Sequence, residues 1–141
     1  MSTPLSAADL QERLQRSPFI SFLAPEVTEA DAEKGHLVMR VPMKPEFERV
    51  ADSNQFHGGV IAALIDTVGD YALIAQLGFG IPTINFSTDF LRPAKGPFLE
   101  AVAQIRRAGR TIGVVDIDVF DANGSLVAVG RGCYATQANN K

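Results

Sequence analysis

Residues 60–77 form the longest apolar stretch of the sequence, too long for a strand and rich in alanine and leucine. Ile61, Leu64, Ile65, Val68 and Ala72 recur in it at helical spacing. Gly58-Gly59 stand at its start, and Gly78 and Gly80 close it as glycines do at helix C-termini. A chain with a single long apolar helix must bury it against something else, and the rest of the sequence offers mainly strands.

Those strands read from alternation. Ile84, Phe86 and Phe90 alternate with Asn85, Ser87 and Asp89. After the break Pro93-Ala94-Lys95-Gly96-Pro97, residues 98–107, 111–121 and 126–136 read as three more strands. Asp121-Ala122-Asn123-Gly124 predicts a hairpin, since Asn-Gly favours the primed turns that match strand twist. Before the helix, residues 25–30 and 36–43 read as two extended runs, and residues 46–55 as a polar loop. Residues 6–16 predict a short amphipathic helix capped by Ser6 and stopped by Pro18. The expected fold class is α+β, one long central helix against a largely antiparallel sheet of five or six strands. The outer strands and second face of such a sheet call for a copy of the same chain, so an obligate homodimer is expected.

Composition removes several function classes. At 141 residues the chain is expected to form one domain with a full core. Hydrophobic residues at 46% and charged residues at 21% exclude disorder and a coiled coil. The net charge of −3 leaves no basic footprint for nucleic acid. Cys133 alone can form no internal disulfide, and His36 and His57 are too few for a structural zinc site. No apolar run is read as a membrane span and the N-terminus shows no signal-peptide core, so a cytoplasmic location is expected.

Two features carry chemistry. His57-Gly58-Gly59 opens the helix, where backbone N–H groups and the helix dipole favour a ligand oxygen; a plain tight turn fits as well. Asp66 lies within the helix among apolar and small residues, sharing a face with Ala62, Gly69 and Leu73. Small neighbours suggest close approach by another backbone, where a desolvated carboxylate is a better base. Asp70, one turn later, fits instead a helix face turned to water. Arg106, Arg107 and Arg110 around a turn, and Arg92 with Lys95, could receive phosphates or simply be solvated.

The run from His57 to Thr67, HGGVIAALIDT, resembles the hotdog-fold acyl-CoA thioesterases of the phenylacetate-pathway (PaaI-like) type. A second match is the run from Thr83 to Ala94, TINFSTDFLRPA, and the likeness spans residues 22–136. It implies a hotdog domain over residues 1–141, with a short N-terminal helix at about 6–16 and a core at about 22–136. It also implies thioester hydrolysis to free acid and CoA, with no cofactor beyond the CoA of the substrate. Carried over residue by residue, the Gly58 N–H polarises the thioester carbonyl, with Gly59 beside it. Asp66 comes from the partner subunit as general base or nucleophile, His57 shapes the loop, and Thr83 assists the acid. Many members carry asparagine six residues before the histidine and glycine three before it; this chain has Ala51 and Asn54. Asn54 or Gln55 is then the replacement contact, and Arg92 and Arg107 are candidates for the CoA phosphates. The implied partners are an acyl-CoA and a second copy, as a dimer or a dimer of dimers, without nucleic acid or membrane. A hydratase or dehydratase of the same fold and a non-catalytic acyl-CoA-binding dimer are the alternatives.

Overall fold

The computed structural model describes residues 3–137. In chain order the elements are α1 (Ala7–Leu14), α2 (Pro18–Leu23), β1 (Glu26–Asp31), β2 (His36–Pro42), a 3-10 turn (Pro45–Phe47), α3 (Gly58–Leu77), β3 (Thr83–Phe90), β4 (Phe98–Ala108), β5 (Ile112–Asp121) and β6 (Leu126–Ala135). The strands make one antiparallel sheet in the order β1-β2-β4-β5-β6-β3. The helix-on-sheet hotdog architecture read from the sequence is therefore present, with six strands.

α3 lies across the inner face of the sheet and is buried on most of its circumference, from Ile61 through Ala75. Inner-face residues alternate along the strands as a one-sided sheet requires: Leu37, Met39 and Val41 on β2, Ala101 and Ala103 on β4, Val115, Ile117 and Val119 on β5. An 18-residue window of α3 has a mean hydropathy of 1.5, long and apolar enough to cross a membrane, contrary to the sequence reading. Here it is the core helix, with 61% of that window buried under the sheet.

Two local expectations are corrected. The N-terminal helix ends at Leu14, and Pro18 starts a second helix instead of merely stopping the first. Proline suits the first helical position because its missing N–H has no partner there in any case, and the Ser17 side chain accepts from the Ile20 N–H to cap the turn. The β5–β6 hairpin forms where Asn123-Gly124 predicts it, but of the two only Gly124 has positive φ, at 81°. Both primed two-residue turns need positive φ at the first central residue, here Asn123, which lacks it. The Asp121 carboxylate instead accepts from the N–H groups of Asn123 and Ser125, at 2.9 and 3.0 Å, and closes a longer loop.

β3 forms one edge of the sheet. One side pairs with β6, and among the described residues the other side is unpaired. Ile84, Phe86 and Phe90 on it are 51%, 39% and 55% exposed, a degree of apolar exposure that edge strands normally avoid.

Candidate active site

The turn that opens α3 is held from three directions. The His57 N–H donates to the Phe47 carbonyl at 2.8 Å, and the Phe56 N–H to the Ala94 carbonyl at 2.8 Å. Before them, the Glu48 carboxylate accepts from the N–H groups of Asp52 and Asn54, at 3.2 and 2.7 Å. Both of those residues have left-handed backbone, φ 65° and 56°.

His57 is the N-cap of α3, and its Nδ1 accepts from the Gly59 N–H at 2.8 Å. That bond fixes the tautomer, since an accepting Nδ1 leaves the proton on Nε2. It also occupies the Gly59 N–H, so the glycine pair does not offer two donors. The Gly58 N–H has no partner among the described residues. No acidic residue stands in the first turn of α3, so the helix field at Gly58 is left for an incoming oxygen.

Two cavities flank this turn. One, of about 330 Å³, is lined by Phe19, Phe22, Leu23, Phe47, Val60 and Ala63 with Glu46, His57 and Gly59 at its polar side. The Phe22 and Phe47 rings meet edge to face at 5.5 Å, and the Lys44 ammonium lies 3.6 Å from the Phe22 centroid. The other, of about 350 Å³, is lined by Gly58, Gln55, Phe56, Ile61, Phe90 and Leu91, with Arg49 and Arg92 as its charges. The turn thus separates an apolar slot from a basic one.

Asp66 stands two turns further along α3. Its Oδ1 accepts from the Thr83 hydroxyl at 2.8 Å, so the pairing of these two candidates is present. Burial pushes the Asp66 carboxyl up from its ordinary value, and the Thr83 hydrogen bond offsets part of that. The Tyr134 hydroxyl donates to the Asp66 carbonyl at 3.1 Å. The close approach that the small residues beside Asp66 suggest is made, at Gly69, by Tyr134 and Ile117 of this chain's own sheet.

The other candidates divide. Gln55 and Arg92 line the basic cavity. Asn54 lines neither cavity and serves the loop, its carbonyl accepting from the Gly96 N–H at 3.1 Å. Arg107, opposite Val114 near the far end of β4, also lines neither. A sequence run cannot tell which end of a sheet a turn occupies. Sequence reasoning missed Arg49, which sits in a loop with no motif, and missed α2, which brings Phe19 to the wall of the apolar slot beside Phe22. Among the described residues, no three His, Cys, Asp or Glu side chains are grouped to hold a metal ion.

Comparison with known proteins agrees with the fold and the motif. The family profile of the thioesterase superfamily matches residues 54–128. A Halobacterium salinarum protein named as an esterase is 34% identical over 140 residues, covering 92% of this chain and 91% of its own. The acyl-coenzyme A thioesterase PaaI of Escherichia coli is 39% identical over 77 residues, 54% of each chain. A solved structure described as from the thioesterase superfamily is 33% identical, with a TM-score of 0.83 over 92% of this chain and 97% of its own. The E. coli PaaI structure, at 24% identity, shares the fold with a TM-score of 0.76 over 95% of this chain and 97% of its own. The chain belongs to the thioesterase superfamily, as a hotdog protein of the PaaI-like type.

Proposed function

We propose that this thioester hydrolase acts on acyl-CoA, at two equivalent sites each built across a pair of its own copies. The observation that carries this reading is β3. Thr83, at one end of the strand, hydrogen-bonds Asp66; Phe90, at the other, packs over Gly58, where an added Cβ would lie 3.3 Å from its ring. Within one chain Asp66 and Gly58 are eight residues apart, about 12 Å along the helix, too far to act on one carbonyl. Antiparallel pairing of β3 with a second β3 about a two-fold axis sets Thr83 of one copy opposite Phe90 of the other. The carboxylate of each chain then faces the free N–H of its partner.

In this reading the thioester carbonyl oxygen accepts from the Gly58 N–H. Negative charge on that oxygen grows as the tetrahedral intermediate forms, so the donor acts most strongly in the transition state. Asp66 takes a proton from water as the water oxygen bonds to the carbonyl carbon. The C–S bond then breaks, the proton passes from Asp66 to the departing sulfur, and free acid and thiol leave. As a nucleophile, Asp66 would instead form a mixed anhydride that water opens. Thr83 orients the carboxylate, and His57 holds the turn with its Nε2–H available to the thioester. The acyl group occupies the Phe22–Phe47 slot, and Arg49 and Arg92 serve the CoA phosphates.

The test is thiol release from a panel of acyl-CoA esters. Hydrolysis by the wild type should fall about 10²- to 10⁴-fold in Asp66→Asn and Asp66→Ala while the oligomer persists by light scattering. No release from any ester would overturn hydrolysis in favour of acyl-CoA binding. Activity surviving both substitutions would remove Asp66 from the mechanism. After single-turnover hydrolysis in ¹⁸O-water, label found in Asp66 by tryptic mass analysis establishes the nucleophile, whose anhydride water has then opened at the aspartyl carbon.

A further inference from the structure

Asp70 is a half-buried acid that this chemistry leaves unused. It follows Asp66 by one helical turn, a spacing that brings side chains within about 5–6 Å at their Cβ atoms. Its Oδ1 is buried and has no hydrogen-bond partner. An ionised carboxylate with an orphaned oxygen is costly, whereas the neutral acid tolerates the same position far better.

We infer that Asp70 is a positioning residue acting through Asp66, a second carboxyl on the same helix whose charge state sets how strongly Asp66 attracts a proton. The inference rests on Asp66 being the base of the reaction proposed above. The groups around Asp70 are Asp66 and Tyr71 on α3, Tyr134 from β6, and Arg13 of α1 with Arg16 just beyond that helix, which line the adjoining cavity. The two arginines bear on Tyr71 but do not offset the burial of Asp70. Burial first, and the charge of Asp66 second, push the Asp70 carboxyl up to about 7. Because the charge of Asp66 is one of the causes, Asp66 is the first of the pair to ionise.

The consequence is a rate with two steps in pH. Ionisation of Asp66 switches the base on, with Asp70 still neutral. Near neutrality Asp70 ionises, the second negative charge strengthens Asp66 as a base, and the rate rises again. Coulomb attraction at this spacing and a Brønsted slope of one half give about three- to tenfold for the second step.

The experiment is the pH profile of kcat on acyl-CoA for the wild type and Asp70→Asn, with Asp70→Ser as a second neutral variant. Both variants should match the wild type below about pH 6 and lack the rise near 7. An equal loss at every pH, or an unchanged second step, overturns the inference. Carboxyl ¹³C NMR gives a readout independent of turnover: the Asp70 midpoint should fall in Asp66→Asn. An Asp70 midpoint unmoved by that substitution overturns the coupling even if hydrolysis stands. A moved midpoint in a chain that hydrolyses no ester leaves the coupling intact and removes only the function.

Discussion

Tyr134 shows how little freedom the core allows a single atom. Its ring lies fully buried along the inner face, and its hydroxyl is where a Cβ on Gly69 of α3 or Gly132 of β6 would fall. Helix and sheet approach closely only because both positions are glycine. Gly69→Ala, whose Cβ would meet the hydroxyl oxygen and no other atom inside 3.0 Å, should therefore destabilise the fold by about 1–3 kcal/mol through overpacking, measured by chemical denaturation. Tyr134→Phe in the same chain should recover part of the loss, because it removes the atom that is struck; independent, additive losses would refute the packing account.

Asp70 gives a second residue-scale prediction, in stability. Its carboxyl ionises at the ordinary 3.8 when unfolded and at about 7 in the fold. Between those values the folded chain binds more protons than the unfolded one, so stability falls with rising pH. The contribution of Asp70 is full below about pH 4 and lost as pH passes 7. Calorimetry from pH 5 to 8 should show the Tm of the wild type falling more steeply than that of Asp70→Asn. Parallel curves would mean that Asp70 ionises normally in the fold.

At the scale of elements, the start of α3 depends on one side chain. His57→Ala removes the acceptor of the Gly59 N–H and should cost about 1 kcal/mol, read by denaturation. His57→Asp, a strong cap, should restore stability without restoring the Nε2 donor. Recovery of stability and activity together would limit histidine to capping. The elements also divide by how legible they are in the sequence. α3 and the last three strands follow from periodicity within one or two residues, because each buries a face whose pattern repeats. α2 does not, since Pro18 alone reads equally as an end or a beginning and Ser17 decides it only through the cap it forms. In the site, His57, Gly58, Asp66 and Thr83 were readable as a motif, and the structure adds which N–H is free. Arg49 and Arg107 were not readable, because the first is brought to the cavity and the second kept from it by chain packing rather than local pattern.

At the scale of the whole molecule, the exposed edge of β3 makes the proposed site a property of two chains. Ile84→Lys should yield a monomer by light scattering that retains its far-ultraviolet spectrum and loses hydrolysis. A sharper check mixes two dead variants. Gly58→Pro removes the free N–H at a first helical position, where proline is tolerated, and Asp66→Asn removes the carboxylate. Half of a randomly reassorted mixture is the mixed dimer with one intact site of two, so about a quarter of wild-type activity should return. No recovery in a mixture shown to have reassorted would mean that each chain holds its own complete site.

The hydropathy of α3 has a cost that falls before the fold exists. Most of the sheet that covers the helix, β3 to β6, follows it in the chain, and only β1 and β2 precede it. At about 5–20 residues per second, synthesis of residues 78–135 takes several seconds, during which a helix apolar enough to enter a bilayer has no finished sheet to lie on. The growing chain is thus most vulnerable midway through its own manufacture, when a chaperone or a membrane surface competes with strands that have not yet been made.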